Sequence, residues 1–97
     1  DMKFDDIVLD YDPSVNGVYG SVTIGDYELS IVKNDMSYGN KQGLYEIGVW
    51  KGKDLCELPG ITAEGDTVKG WLTEDDVNCI IKKLYLISGG ECEHFSV

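Results

Sequence analysis

The sequence predicts an α+β fold, an antiparallel sheet of about four to five strands packed by one C-terminal helix. Apolar and polar residues alternate through much of the first two thirds of the chain, which is typical of half-buried strands. The last third changes to the apolar period of a helix. The connections between the predicted strands are too short to hold crossover helices, so the strands are expected to pair antiparallel.

Three strands are predicted in the N-terminal third. The first covers residues 4–10, and a turn over residues 12–17 follows it, rich in Asp, Pro, Asn and Gly. The second covers residues 18–24, where Val and Ile alternate with Tyr, Ser and Thr. The third begins at Tyr27, because the Gly-Asp pair at residues 25–26 suits a two-residue type II′ hairpin.

The middle of the chain is predicted to add a loop and further strands. Residues 34–43 are polar and contain glycine, so they are expected to form the loop. Residues 44–50 return to the strand period, with Trp50 on the face opposite Tyr45, Ile47 and Val49. A turn at Gly52 leads into a predicted strand at 55–58, and a short strand is predicted at 67–71.

The helix begins after Thr73, which is a favourable N-cap, and Asp76 three residues later forms an approximate capping box with it. The pair Gly89-Gly90 is predicted to end the helix. We therefore expect one domain over residues 1–90 and a frayed tail over residues 91–97. The predicted apolar face consists of Val77, Ile80, Ile81, Leu84 and Ile87.

The charge is the most unusual property of the composition. Eighteen Asp and Glu face eight Lys, no Arg is present, and the net charge is -10 over 97 residues. A small domain needs a net charge of only about 2 to 8 to stay dispersed. The acids concentrate in residues 1–31 and 56–97, on either side of a nearly neutral stretch. Such a surface repels phosphates, so direct nucleic-acid binding is not expected.

Cysteine usage and hydropathy indicate a cytoplasmic protein. The chain has three cysteines, an odd number, and their positions form no C-x-x-C motif and no paired spacing. This pattern favours a reducing compartment over a disulfide framework. No apolar run approaches the ~18 residues of a membrane span, so no membrane partner is expected. Asp1 before Met2 is interpreted as a residual tag residue.

Neither a metal or cofactor site nor an enzyme is predicted. Residues 10–16 resemble the opening of a calcium loop, but they lack the Gly and the bidentate Glu that such a loop needs. An acidic turn is the favoured interpretation, although the clustered carboxylates leave calcium binding open. The single histidine, His94, lies near Cys92 and forms at most half of a zinc site. Cys79 is interpreted as a small, half-buried hydrophobic residue on the helix.

Carboxylates and exposed aromatic side chains are the candidate partner-binding residues. A surface of this composition suits a basic protein partner, since steering by opposite charge and aromatic anchoring both favour docking. Trp50 and Tyr38 are the aromatic candidates, and Met36 lies in the same predicted loop as Tyr38. The predicted partner-binding residues are Asp5, Asp6, Asp10, Asp12, Tyr38, Trp50, Glu74, Asp75 and Asp76.

The chain resembles small acidic accessory and anti-defence proteins encoded by bacteriophages. The resemblance lies in its size, its acidity and two stretches, residues 43–50 (GLYEIGVW) and 66–77 (DTVKGWLTEDDV). Several of these, including anti-restriction and anti-CRISPR inhibitors, imitate the charge of DNA. The resemblance implies an inhibitor in the host cytoplasm that docks on a basic, nucleic-acid-binding surface of a host protein. Its carboxylates would then take the place of phosphates.

Two classes of function therefore follow from the sequence. The first is a non-enzymatic acidic module that binds a basic protein. The alternative is a structural or assembly subunit that forms a homo-oligomer through its sheet edges. The sequence leaves both a monomer and a homodimer open.

Overall fold

A six-stranded antiparallel sheet and one α-helix make up the fold in the computed structural model, which describes residues 2–88. This confirms the predicted α+β class. In chain order the elements are a 3-10 helix at Phe4–Asp6, β1 at Asp10–Asp12, β2 at Gly17–Ile24, β3 at Tyr27–Lys33, a 3-10 helix at Asn40–Gln42, β4 at Tyr45–Lys51, β5 at Asp54–Leu55, β6 at Val68–Leu72 and α1 at Glu74–Ser88.

Strand β4 pairs with three other strands, β3, β5 and β6. The strands follow the order β1-β2-β3-β4-β5, and β6 also pairs with β4. On that side β4 changes partner along its length, because Trp50 pairs with Leu55 of β5 while Tyr45 pairs with Leu72 of β6. The pairing with β6 is irregular between Tyr45 and Ile47. All of these strand pairs are antiparallel, as the short connections predict.

The core lies between α1 and one face of the sheet, here called the inner face. The alternation in β3 places Leu29 and Ile31 on this face, where both are fully buried. From α1 the predicted side chains at 77, 80, 81 and 84 pack against them, whereas Ile87 is 47% exposed. Full burial of one such aliphatic side chain contributes about 1.5–3 kcal/mol. The helix is thus held mainly by tertiary packing of its apolar face.

The β2–β3 connection confirms the predicted two-residue hairpin. Gly25 has φ +60°, the positive value that a type II′ turn requires at its first position. A Cβ atom at Gly25 would also lie 2.6 Å from the carbonyl oxygen of Ser88. Glycine is therefore needed twice here, for the turn and for the close approach of the last residue of α1.

The first predicted strand is wrong in its boundaries. Residues 4–6 form a 3-10 helix instead, because Phe4 turns into the core and its ring packs 4.9 Å from that of Tyr45. Residues 7–9 then cross the inner face of β2 at Gly20, where a Cβ atom would lie 2.6 Å from the carbonyl oxygen of Val8. Only residues 10–12 pair as a strand, since the preceding segment is drawn away from the edge by this packing.

The predicted strand at 55–58 is also too long. It ends at Leu55, because Leu58 is held in a turn by Thr62. The Leu58 N–H donates to Thr62 Oγ1, and the Thr62 N–H donates to the Leu58 carbonyl oxygen, both at 2.9 Å. The short strand predicted at 67–71 is present one residue later, at Val68–Leu72.

The start of α1 agrees with the predicted capping box. Thr73 N–H donates to Asp76 Oδ2 at 3.0 Å, and Asp76 N–H donates to Thr73 Oγ1 at 3.1 Å. Cys79 is exposed rather than half-buried, because it lies outside the apolar face of the helix. The predictions for Asp1, Gly89-Gly90, Cys92, His94 and the tail at 91–97 lie outside the described residues.

Within residues 2–88, no helix combines the length and the hydropathy that a bilayer crossing requires.

Candidate protein-binding surface

The strand register gathers most of the predicted acidic residues at one end of the sheet. Strands β2 and β4 begin at this end, and β1, β3 and β6 finish there, as the pairs Asp12–Gly17, Val18–Lys33 and Tyr45–Leu72 show. Helix α1 also begins there, directly after β6. We call this the acidic end; its carboxylates are Asp5, Asp6, Asp10, Asp12, Asp35, Glu74, Asp75 and Asp76, all exposed.

One hydrogen bond joins the two densest acidic segments. The Phe4 N–H donates to Asn78 Oδ1 at 2.7 Å, across 74 positions of sequence. This bond holds the 3-10 helix, with Asp5 and Asp6, against the first turns of α1, with Glu74 and Asp75. Two acidic pairs that are remote in sequence thereby belong to one surface.

The turn between β1 and β2 forms the second part of the acidic end. Asp12 Oδ1 accepts hydrogen bonds from the hydroxyl and the N–H of Ser14, at 2.7 and 3.0 Å, and these bonds lower the pKa of Asp12. Asn16, which has φ +51°, donates to Asp35 Oδ1 at 3.3 Å. The Asp12 contacts are those of an Asx turn, in agreement with the favoured interpretation of residues 10–16.

No group of three or more His, Cys, Asp and Glu side chains within residues 2–88 is arranged to hold a metal ion.

The acidic end divides into structural and uncommitted carboxylates. Asp6 Oδ2 accepts the Lys3 N–H at 3.0 Å, and Asp76 closes the capping box. The backbone N–H of Thr73, followed by its hydroxyl, lowers the pKa of Asp76. Within residues 2–88, the remaining predicted acids accept no hydrogen bond through their carboxylates and are available to a partner: Asp5, Asp10, Glu74 and Asp75.

Three lysines contact groups other than carboxylates. The Lys33 ammonium lies 4.9 Å from the ring centroid of Tyr45, and that of Lys51 lies 5.6 Å from the ring centroid of Tyr27. Lys83 Nζ donates to the Gly60 carbonyl oxygen at 2.8 Å. Across residues 2–88 no lysine forms an ion pair with a carboxylate. The charge of Lys69 also helps to lower the pKa of Asp76, so the negative charge of the acidic end is compensated in part and otherwise faces solvent.

Tyr38 lies at the acidic end and is fixed by its main chain. Its N–H donates to Glu46 Oε1 at 2.8 Å, and its carbonyl oxygen accepts from the Trp71 N–H at 3.2 Å. Both aromatic side chains are more than half exposed, at 60% for Tyr38 and 57% for Trp71.

Trp71 and Asp35 were not among the residues predicted to bind a partner. The alternation of the sequence does not reveal them, since Trp71 owes its orientation to an irregular strand and Asp35 to loop contacts.

Trp50 is not part of this surface. It lies on the outer face of the sheet near the opposite end of β4, between Glu28 of β3 and Leu55 of β5. Its side chain is half-buried. The predicted location of Trp50 opposite the core face is confirmed, but the structure separates it from Tyr38 and from the acidic end.

Comparison with known proteins found no family model, no curated protein and no solved structure that matches the chain.

Proposed function

We propose that this protein is a non-enzymatic binding module that docks its acidic end on a cationic surface of another protein. One observation carries the proposal, the gathering of eight exposed carboxylates at one end of the sheet. Within residues 2–88 four lysines share this end, Lys3, Lys33, Lys41 and Lys69, which is half the number of its exposed carboxylates. Lys33 is placed over the ring of Tyr45. Such a surface attracts a cationic partner from a distance and orients it during encounter.

The class of partner follows from the same electrostatics. A protein that binds nucleic acid displays lysines and arginines arranged to neutralise phosphates. Carboxylates of Asp5, Asp10, Glu74 and Asp75 can occupy such a groove in place of phosphates, which is the mode that the resemblance to phage anti-defence proteins implies. The proposed activity is therefore inhibition by competition with nucleic acid for a basic surface.

The sheet edges support this proposal over assembly into a homo-oligomer. The edge strand β1 has only three residues, all exposed, and two of them are Asp10 and Asp12. On the other side β5 has two residues, one of them Asp54, and β6 has five, which include Lys69 and Gly70. Short, charged edges oppose pairing with a second strand. Two copies of this chain would also bring like charges together.

Capture from a bacterial lysate at low salt, followed by competition, tests the proposal. The immobilised protein is compared with a variant neutralised at the acidic end, Asp5→Asn with Asp10→Asn, Glu74→Gln and Asp75→Asn. The matched control carries the same change of charge elsewhere, Asp26→Asn with Asp54→Asn, Glu57→Gln and Glu64→Gln. Within residues 2–88 none of these eight carboxylates accepts a hydrogen bond, so both variants are expected to fold.

The expected result is a cationic protein retained by the wild type and the control but lost from the acidic-end variant. Added double-stranded DNA should release it, because the two ligands compete for one surface. Equal loss from both variants would show that net charge alone is responsible and would contradict the proposal. Retention of the partner in the presence of excess DNA would contradict the competition.

A further inference from the structure

Three large apolar side chains are exposed beside the acidic end. Met36 is 82% exposed, Tyr38 60% and Trp71 57%. We call these three the apolar patch. Its members come from the β3–β4 loop and from the end of β6. Tyr38 and Trp71 are neighbours, since the Trp71 N–H donates to the Tyr38 carbonyl oxygen, and contiguous exposed apolar side chains frequently mark a contact with another protein.

The loop that carries Met36 and Tyr38 is closed by its own hydrogen bonds. The Asn34 N–H donates to Ser37 Oγ at 2.9 Å, and the Met36 N–H donates to Asn34 Oδ1 at 2.9 Å. Ser37 is buried, and its carbonyl oxygen accepts from Asn40 Nδ2. The side chains of Met36 and Tyr38 are therefore presented on a backbone that is already ordered. Binding through a preorganised loop avoids much of the entropic cost of ordering it.

The loop is also interlocked with β6. A Cβ atom at Gly70 would lie 2.4 Å from Tyr38 Cβ, and one at Gly39 would lie 2.9 Å from Trp71 Cα. Trp71 itself has φ +60°, a left-handed value that is unfavourable for a bulky side chain. Backbone strain of this kind concentrates where side chains must take a functional orientation. Here the strained residue is the one that carries a Trp on the surface.

Carboxylates border the apolar patch on both sides. Asp35 precedes Met36 in the loop, and Glu46 accepts the Tyr38 N–H. On the other side, Trp71 is followed within three residues by Glu74, the first residue of α1. Lys69 lies two positions before Trp71, but exposed carboxylates of the acidic end outnumber its lysines by eight to four within residues 2–88. A partner that covers the patch must therefore place apolar groups at its centre and mainly cations around them. A second copy of this chain fails this requirement, because its own patch has an acidic border.

Resting on the function proposed above, we infer that the apolar patch is the anchor of the complex. Its partner surface is one in which aliphatic side chains stand among lysines and arginines. The carboxylates draw the partner in, and Tyr38 and Trp71 hold it by burying its aliphatic groups. Aromatic anchors ringed by polar contacts are the usual location of binding energy in protein interfaces.

Two synthetic hexapeptides serve as probes for this inference. Each has four arginines, and the central pair is Leu-Leu in one and Ser-Ser in the other. Affinities are measured by calorimetry at low salt for the wild type, Tyr38→Ala, Trp71→Ala and Met36→Ser. Leu55→Ala is the matched control, because Leu55 is 45% exposed near the opposite end of the sheet. Circular dichroism confirms folding, and Met36→Ser keeps the test valid if an aromatic variant fails to fold.

The wild type is expected to bind the Leu-Leu peptide about tenfold more tightly than the Ser-Ser peptide. This preference should fall to about twofold or less in the variants of the patch and persist in Leu55→Ala. Equal binding of both peptides by the wild type would overturn the inference. In that case the proposed function would still stand if neutralising the acidic end weakened the binding of both peptides. Binding of neither peptide by the folded wild type would instead contradict the electrostatic attraction on which the proposed function depends.

Discussion

The main-chain nitrogen of Phe4 lies 2.7 Å from Asn78 Oδ1, and this contact joins the N-terminal 3-10 helix to the first turns of α1. It is a bond between residues that are separated by nearly the whole domain. The carboxylates of Asp5, Asp6, Glu74 and Asp75 repel one another, so this bond and the burial of Phe4 act against electrostatic separation of the two segments.

Replacing Asn78 tests this contact. Asn78→Ala removes the acceptor of the partly buried Phe4 N–H and is expected to lower the free energy of unfolding by about 1 kcal/mol. The loss should be no larger at low salt, because repulsion between the two acidic segments destabilises wild type and variant alike and only the variant can relieve it by separation of the segments. Urea unfolding at two salt concentrations measures it. Cys79→Ala, at the adjacent exposed position of α1, is the control and should change stability by less than about 0.5 kcal/mol.

The capping box predicts a pH dependence at Asp76. Hydrogen bonds from Thr73 lower the pKa of Asp76 below 3.8 in the folded state. A carboxyl group with a lowered folded-state pKa stabilises the fold above its unfolded pKa, and this stabilisation is lost as the pH falls through the folded value. The difference in melting temperature between wild type and Asp76→Asn should therefore be largest near neutral pH. It should shrink progressively once the pH falls below about 4.

A thermal melting series from neutral pH down to about pH 2.5 would check this prediction. Asp75→Asn is the control, because the Asp75 carboxylate accepts no hydrogen bond within residues 2–88. A difference for Asp76→Asn that stays constant over the whole series would contradict a stabilising role of the ionised carboxylate.

Substitution of Gly70 tests the interlock between the loop and β6. In Gly70→Ala the new methyl group would lie 2.4 Å from Tyr38 Cβ, so the backbone of one segment must shift. We expect a destabilisation of about 1–3 kcal/mol, as in other overpacked sites. Gly48→Ala is the matched control on the neighbouring strand, where the nearest atom is Ser30 Oγ at 3.3 Å. Chemical unfolding that shows equal losses for the two variants would contradict the interlock.

The left-handed backbone of Trp71 predicts an inverted preference between alanine and glycine. At φ +60° a side chain is strained and glycine is not, so Trp71→Gly should be more stable than Trp71→Ala by about 1 kcal/mol. At Trp50, in regular strand, the order should be the usual one, with Trp50→Ala more stable by about 0.5–1 kcal/mol. Denaturant midpoints of the four variants measure both differences. The same order at both positions would refute strain at Trp71.

The sequence predicted the elements whose pattern is local. The hairpin at Gly25-Asp26, the alternation through β3 and β4, and the capping box of α1 each depend on residues close in the chain, and all are confirmed. The segment at residues 4–9 was misjudged because its conformation depends on distant contacts. Phe4 packs on Tyr45, and residues 7–9 lie against Gly20.

The candidate surface was predictable in its charge but not in its shape. The sequence identified the acidic segments, and the antiparallel register explains why they share an end, since three strands finish where two strands and the helix begin. It could not show that Trp50 lies apart from Tyr38. Nor could it show that Trp71 is turned outward, because the alternation is interrupted by the irregular pairing of β6.

The course of α1 has a practical consequence for experiments. The helix begins among the carboxylates and finishes against Gly25, so the β2–β3 hairpin marks the pole farthest from them along the helix. A biotin or fluorophore introduced at Asp26 would leave the opposite pole unobstructed. Oriented attachment through this hairpin is therefore the geometry in which a sensor chip would present the carboxylates outward to molecules in the flow.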